Sequence, residues 1–348
     1  MNARSLLSVL FHADKALDLV RTAREIGLIA RLDVGPVTLG ELAEATGTRP
    51  LRLFKFLDGL ESIGLVVREQ PTDDLLAARY VSRDPLAEAV EAVLGERSVE
   101  RDRDKYPWRE IHGRLGDVLR GHLDARFAWP PRDDEDVRAF EASMAAGCAP
   151  IIEAFRKAGD AVLDAACRRC DPDTGSVESV TRRRWLDVGG GDGTVAEALL
   201  RERRSLSCDV FNLPLVAPLV VARARNAGLE SRLGFIGGDF LSEPLPAGYD
   251  VLSFIRVLHD WPPDIARSLL CKAKQALAPG GRIIVCEEFR TADRLAVQLF
   301  WTYFLIGVDA CVSRLREVEW YTEALAALGF TDIRVIHGAF DLVTAVAA

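Results

Sequence analysis

The chain has 348 residues, 49% of them hydrophobic, and its 44 Lys and Arg against 52 Asp and Glu give a formal net charge of −8. This composition supplies apolar material for two globular domains and excludes disordered and fibrous classes. The negative charge disfavours a general attraction to nucleic acid or anionic lipid. Charged residues interrupt the first 20 positions, where a signal peptide would be apolar, and no apolar run reaches the ~18 residues of a membrane helix, so we expect a cytoplasmic protein.

The seven cysteines do not form a metal-binding pattern. Cys167 and Cys170 make one CxxC pair, but no second pair or neighbouring His completes a zinc site. We therefore predict no metal and no disulfide.

Residues 1–98 predict helices followed by one hairpin, the outline of a winged helix-turn-helix. Thr38 with Glu41 three residues later is a capping box that opens the second helix. Glycines end two of the helices, and the hairpin supplies the wing. The predicted helices are 16–31, 39–46 and 50–63, and the predicted strands are 65–68 and 80–81.

A winged helix invites a DNA-binding interpretation, which the charge opposes. Residues 1–98 contain 12 Lys and Arg and 15 Asp and Glu, a net charge of −3, whereas a groove-reading domain should be basic. The alternative is a dimerisation unit whose apolar helices pair with a second copy. We therefore predict a winged-helix-like dimerisation domain over 1–98, without nucleic-acid binding.

Strands and helices alternate from about residue 181, after a helical bridge over 99–180 that includes 137–144 and 151–166. Alternation of this kind predicts a parallel sheet covered on both faces, a doubly wound α/β fold. The predicted strands are 184–188, 209–211, 233–236, 251–255, 282–286, 333–337 and 342–346. The predicted helices are 195–203, 217–227, 264–277 and 317–328.

A glycine loop follows the first of these strands and precedes a helix. Gly189, Gly191 and Gly193 let the backbone approach a ligand closely, at a helix N-terminus that favours negative charge. Thr194 stands where a dinucleotide fingerprint requires Gly or Ala, which disfavours NAD. Asp187 at the loop entrance suits a ligand with an ammonium group, such as S-adenosyl-L-methionine (SAM). A glycine-rich turn without a ligand is the alternative.

The next two strand ends carry further candidates for cofactor binding. The second strand ends at Asn212, and the third runs into Asp239 and Phe240. Carboxyl ends of such strands form the ligand crevice. Asp239 can accept a hydrogen bond from an adenine amino group, with Phe240 against the ring.

Five motifs in order resemble those of the SAM-dependent small-molecule O-methyltransferases of the plant caffeic acid type and their actinobacterial relatives. The resemblance implies SAM as cofactor, no metal, an intertwined homodimer through the N-terminal winged helix, and a small aromatic acceptor held between the domains. It assigns 99–348 to the helical bridge plus the Rossmann-like methyltransferase domain. The motifs are LDVGGG (186–191), VFNLP (210–214), GDF (238–240), VLHDW (257–261) and APGG (278–281).

The resemblance also assigns chemistry to His259, which follows the fourth strand. A phenol has a pKa of about 10, so a positioned base that titrates near neutrality assists methyl transfer. The matching family position is the catalytic base, which two Glu residues orient. The first maps onto Glu287, with Glu288 as the alternative register, and Arg314 stands where the second is expected.

Arg314 has two interpretations. It is either a salt-bridged loop residue or a group that binds a carboxylate on the acceptor. Asp309, where the family has an Asn near the acceptor, is its candidate partner. Residues expected to line the acceptor pocket are Met144, Trp301, Leu305 and Asp309.

Two departures from the family concern the cofactor. Asn212 replaces the usual ribose-binding Asp, and Ile255 stands where a cofactor-contacting Lys is common. The predicted activity is O-methylation of a phenolic, possibly carboxylated, metabolite in specialised biosynthesis. The alternatives are C-methylation of an aromatic ring, non-methyl chemistry with bound SAM, and a SAM-sensing transcriptional regulator.

Overall fold

A computed structural model describes residues 2–69, 74–96, 114–123, 131–163, 182–291, 299, 315–338 and 340–348. The chain divides into two compact units, Met1–Pro107 and Trp108–Ala348. This division and the predicted boundary after residue 98 both fall in 97–113, outside the described residues. No helix in the described parts combines the length and the apolar character needed to cross a membrane.

The first unit packs short helices around a small antiparallel sheet of strand order β1-β3-β2. Its core consists of residues such as Leu28, Leu42, Leu57 and Tyr80. The predicted capping box is confirmed, since the Glu41 N–H donates to Thr38 Oγ1 and the Thr38 N–H donates to Glu41 Oε2. Its elements are α1 (Ala3–Phe11), α2 (Ala13–Glu25), α3 (Leu28–Leu32), β1 (Val37–Thr38), α4 (Leu39–Thr46), α5 (Pro50–Ser62), β2 (Val66–Arg68), a 3₁₀ turn (Leu75–Ala77), β3 (Arg79–Ser82) and α6 (Leu86–Leu94).

The second unit is built on a seven-stranded sheet of order β6-β5-β4-β7-β8-β10-β9. All seven strands and all four helices predicted after residue 181 are present. The helices before the sheet are α7 (Leu115–Leu119), α8 (Asp134–Ala146), α9 (Ala149–Ala158) and α10 (Asp160–Leu163). The remaining elements are β4 (Arg183–Val188), α11 (Thr194–Glu202), β5 (Leu206–Asn212), α12 (Ala217–Ala227), β6 (Leu233–Gly237), β7 (Tyr249–Ile255), α13 (Pro263–Ala276), β8 (Leu277–Glu287), α14 (Val318–Ala327), β9 (Phe330–Ile336) and β10 (Asp341–Ala347).

The expectation of an all-parallel sheet is corrected at one strand. Strands β6, β5, β4, β7 and β8 pair in parallel, whereas β10 is antiparallel to both β8 and β9. The connection 337–340 is far shorter than the dozen or so residues that a parallel crossover requires, so β9 and β10 form a hairpin.

Helices cover both faces of the sheet, as a doubly wound fold requires. Consecutive residues of β4 show this, because Trp185 packs on one face of the sheet and Leu186 on the other. Helices α9, α11 and α12 pack on the Trp185 face, and α13 and α14 pack on the Leu186 face. The parallel strands therefore end together at one edge, where loops and side chains are held on a rigid support.

Candidate functional site

The glycine loop lies at the carboxyl end of β4, next to the point where the strand order reverses. There β5 lies on one side of β4 and β7 on the other, and such a switch point is where α/β sheets bind ligands. Gly189, Gly191 and Gly193 have φ of 71°, 57° and 82°, a region that side chains disfavour. An added Cβ would lie 2.8 Å from Val257 Cγ2 at Gly189 and 2.7 Å from Glu141 Oε2 at Gly191. The loop is therefore tightly bounded at Gly189 and Gly191, and its backbone conformation favours glycine at all three positions.

Asp187 lies beneath this loop with 1% of its surface exposed. Its Oδ1 accepts a hydrogen bond from Ser253 Oγ at 2.6 Å, and Ser253 accepts from Trp185 Nε1 at 2.7 Å. Burial raises the pKa of Asp187 to about 7, against the opposing effect of the Ser253 hydrogen bond. Within the described parts of the chain, its Oδ2 has no hydrogen-bond partner.

The other predicted cofactor residues lie along the same edge and are engaged in local turns. Asn212 Oδ1 accepts from the Leu213 N–H at 2.8 Å, and Asp239 Oδ1 accepts from the Leu241 N–H at 2.9 Å. Each oxygen retains capacity for a second hydrogen bond. The Phe240 ring meets the Trp261 ring edge to face, with centroids 5.8 Å apart. The structure thus brings these side chains to the edge that the sequence predicts.

His259 lies in a 3₁₀ turn, Leu258–Asp260, just after β7, and is 3% exposed. Its Nδ1 contacts Glu287 Oε2, and its Nε2 lies 3.2 Å from Asp260 Oδ1. Glu287 Oε1 accepts from the N–H groups of Val257 at 3.1 Å and Leu258 at 2.9 Å. The structure therefore places Glu287, rather than Glu288, against the imidazole.

The charge state of His259 follows from these contacts. Burial lowers the pKa of His259, but the carboxylates of Asp260 and Glu287 more than offset this effect and raise it well above its usual value. A carboxylate at Nδ1 also fixes the ring orientation and favours a proton on that nitrogen. Nε2 is then the nitrogen available for proton exchange.

Arg316 supports the same turn and was not predicted from the sequence. It is 5% exposed, and Nη1 donates to Leu258 O at 2.7 Å while Nη2 donates to Trp261 O. Its guanidinium lies over the Trp320 ring, 4.7 Å from the centroid. The two carbonyls flank His259 in the sequence, so Arg316 holds the carbonyls of the turn while Glu287 holds its N–H groups. An arginine in a loop segment gives no signal of this role in the sequence.

Helix α8 lies over the loop and contributes a second group of residues that sequence reasoning missed. Glu141 is 5% exposed, and its carboxylate faces Gly191. Arg256, with φ of 54° at the end of β7, donates from Nη2 to Met144 O at 2.7 Å and so ties α8 to the sheet edge. Met144, a predicted pocket residue, is half-buried on this helix. The predicted residues Trp301, Leu305, Asp309 and Arg314 lie outside the described residues.

A network of hydrogen-bonded ion pairs fixes the end of the loop that leads into α11. Asp192 Oδ1 accepts from the N–H of Thr194, the first residue of α11, at 3.0 Å. Arg223 of α12 pairs with Asp192 Oδ2 and, through Nη1, with Glu197 Oε2 at 2.7 Å. The loop is thereby held to both helices that follow it.

Fold and site together define a Rossmann-like protein with a glycine-loop ligand site beside a buried His–Glu pair. Residues 177–331 match the family described as the O-methyltransferase domain. The chain carries this domain and is a SAM-dependent methyltransferase, which confirms the resemblance and the cofactor that the motifs indicate.

Relatives with different acceptors support this classification. The chain is 27% identical to the tetracenomycin polyketide synthesis 8-O-methyl transferase TcmO of Streptomyces glaucescens, over 94% of this chain and 91% of the relative. It is 29% identical to the N,N-dimethyltransferase OxyT of Streptomyces rimosus, over 94% and 90%. The crystal structure of the S-adenosylmethionine-dependent methyltransferase SibL has a TM-score of 0.59 and 25% identity, covering 98% of both chains.

The residues present fit SAM. Gly189 and Gly191 form a cradle that any Cβ would fill, and the buried carboxyl groups of Asp187 and Glu141 both lie against this loop, which suits a donor with positive charge. Asp239 and Asn212 can accept hydrogen bonds from adenine and ribose groups. When bound, SAM supplies an electrophilic methyl group on a sulfonium.

Proposed function

We propose that the protein methylates a hydroxyl group of a small phenolic metabolite, with His259 as the general base. The observation that carries this proposal is the buried contact between His259 and Glu287 at the carboxyl edge of the sheet. A positioned side chain that takes a proton in the transition state typically accelerates a reaction by about 10²- to 10⁴-fold. The carboxylates of Asp260 and Glu287 raise the pKa of His259 against the effect of burial, so the neutral imidazole is a stronger base than a free histidine.

The proposed roles of the residues follow from their contacts. His259 Nε2 takes the acceptor proton, and the acceptor hydroxyl replaces Asp260 at that nitrogen. Glu287 holds Nδ1 and stabilises the imidazolium that forms. Arg316 fixes the turn through Leu258 O and Trp261 O, so the imidazole keeps its direction. Geometry of this kind matters because methyl transfer requires alignment of the acceptor oxygen, the methyl carbon and the sulfur.

The test is a comparison of the wild type with His259→Gln. We expect the variant to bind S-adenosylhomocysteine (SAH) as the wild type does, and to lose about 10²- to 10⁴-fold in kcat with phenolic acceptors. SAH formation at the wild-type rate by the variant would contradict the proposal. NMR of the product distinguishes a methyl on oxygen from one on carbon or nitrogen, which matters because OxyT is named for N-methylation.

The acceptor class includes phenols with a carboxylate, for which Arg314 is the proposed partner. Its guanidinium suits bidentate recognition of a carboxylate. Arg314→Ala should raise KM for carboxylated phenols and leave KM for neutral phenols unchanged. Equal increases for both would contradict this role.

We further propose that the first unit is a winged-helix dimerisation unit. Helix α1 has no buried residue, and it exposes 66% of Leu7, 52% of Leu10 and 79% of Phe11. An apolar surface of this kind is typical of an interface. Light scattering should give twice the mass of one chain, and Leu10→Glu combined with Phe11→Glu should give a monomer. A monomeric wild type would contradict this assignment.

A further inference from the structure

The carboxylate of Glu141 is aimed at the glycine loop from α8. Only 5% of this residue is exposed. Its Oε2 lies 2.7 Å from the position of a Cβ on Gly191, and the backbone N–H of Asp192 opposes the rise in the pKa of the carboxyl group. Glu141 therefore touches the same loop that Asp187 supports from the sheet side.

Glu141 has no close cationic partner among the described residues. Across the described residues, no Lys, Arg or His nitrogen lies within 4.0 Å of its carboxylate. Burial is the main cause that raises the pKa of Glu141 to about 7; the charge of Asp192 adds to this rise, and the charge of Arg256 opposes it. A buried carboxylate is normally paired with a cation or neutralised.

SAM and SAH carry one such cation, the ammonium of the amino-acid portion. Asp187 has its Oδ1 bonded to Ser253 and is 1% exposed under the loop, so its access to a ligand is restricted. Glu141 approaches the same loop from α8 rather than from β4, with its carboxylate at Gly191. We propose that Glu141 binds the ammonium group of the donor, and that Asp187 supports the loop from below.

The experiment measures binding by calorimetry with two probes, SAH and its deaminated analogue, which lacks the ammonium. The wild type should bind SAH about 10- to 100-fold more tightly than the analogue, the range expected for a hydrogen bond between charged groups. Glu141→Gln should lose this factor for SAH and retain the wild-type affinity for the analogue. Glu135→Gln, an exposed residue of the same helix, is the matched control and should bind both probes as the wild type does.

Each contrary result overturns the proposal in a distinct way. Equal weakening of both probes by Glu141→Gln would mean that Glu141 only shapes the loop. Unchanged SAH affinity would mean that another group binds the ammonium, while the SAM site itself would stand. Equal affinity of the wild type for both probes would exclude ammonium recognition without any variant. Failure of the wild type to bind SAH would overturn the donor site together with this role.

Discussion

Replacement of Glu287 by Gln changes the group that faces the His259 ring and leaves the packing around the ring in place. Glu287 Oε1 accepts from the backbone N–H groups of Val257 and Leu258, and an amide oxygen can keep those bonds. The amide nitrogen then faces Nδ1 of His259 in place of Oε2. Because an amide NH₂ only donates, Nδ1 must become the acceptor, and the ring proton moves to Nε2.

This change blocks the nitrogen that should take the acceptor proton. We expect kcat to fall by about 10²- to 10⁴-fold, the usual contribution of a general base. The pH profile should change as well. Because nearby carboxylates raise the pKa of His259, wild-type kcat/KM should rise with pH above neutrality as the imidazolium loses its proton. Without the Glu287 charge the pKa falls, so the rising limb should shift to lower pH.

The assay is SAH formation with a saturating phenol, and calorimetry with SAH is the control. Donor affinity should be unchanged in Glu287→Gln, and Glu288→Gln, the adjacent buried carboxylate, should keep most of the activity. A Glu287→Gln variant with near wild-type kcat and an unshifted pH profile would refute the reasoning.

Three further predictions concern groups that hold the site together. Arg316→Lys leaves one carbonyl of the His259 turn unpaired, so urea unfolding should show a loss of about 1–3 kcal/mol in unfolding free energy; an unchanged value contradicts this. Gly191→Ala, at φ +57° and 2.7 Å from Glu141 Oε2, should weaken SAH binding at least tenfold; calorimetric affinity equal to that of the wild type contradicts it. In the protein without SAM, the pKa of Glu141 is about 7 in the folded state and about 4.5 in the unfolded state. The unfolding free energy of the wild type should therefore fall, relative to that of Glu141→Gln, by about 3 kcal/mol as the pH rises from 4.5 to above 7. The same difference in unfolding free energy between the two proteins at pH 5 and at pH 8 contradicts this.

Sequence patterns predict the elements of the second unit closely because most of its strands contain a group of apolar residues near turn residues. Helix 217–227 matches α12 over its whole length. The prediction of a parallel sheet is wrong at β10, since periodicity identifies strands but does not orient them. Connection length does contain that information, and 337–340 is too short for a crossover.

Some residues of the site were predicted from the sequence and others were not. His259, Glu287 and the glycine loop stand at strand ends, where sequence order alone brings them to one edge. Glu141 and Arg316 reach the site from α8 and from the segment before α14, and their roles depend on tertiary contacts with the loop and with the turn carbonyls. A charged residue in an amphipathic helix or a loop is usually solvated, so its sequence context does not reveal burial.

The central claim is that His259 removes the proton of a phenolic acceptor beside bound SAM. A series of phenols of similar shape, with pKa values from about 10 down to about 7, tests it most directly, because an acidic phenol needs no base at neutral pH. We predict that the ratio of kcat/KM between the wild type and His259→Ala falls steadily as the acceptor pKa falls. A ratio that stays constant across the series would contradict the account.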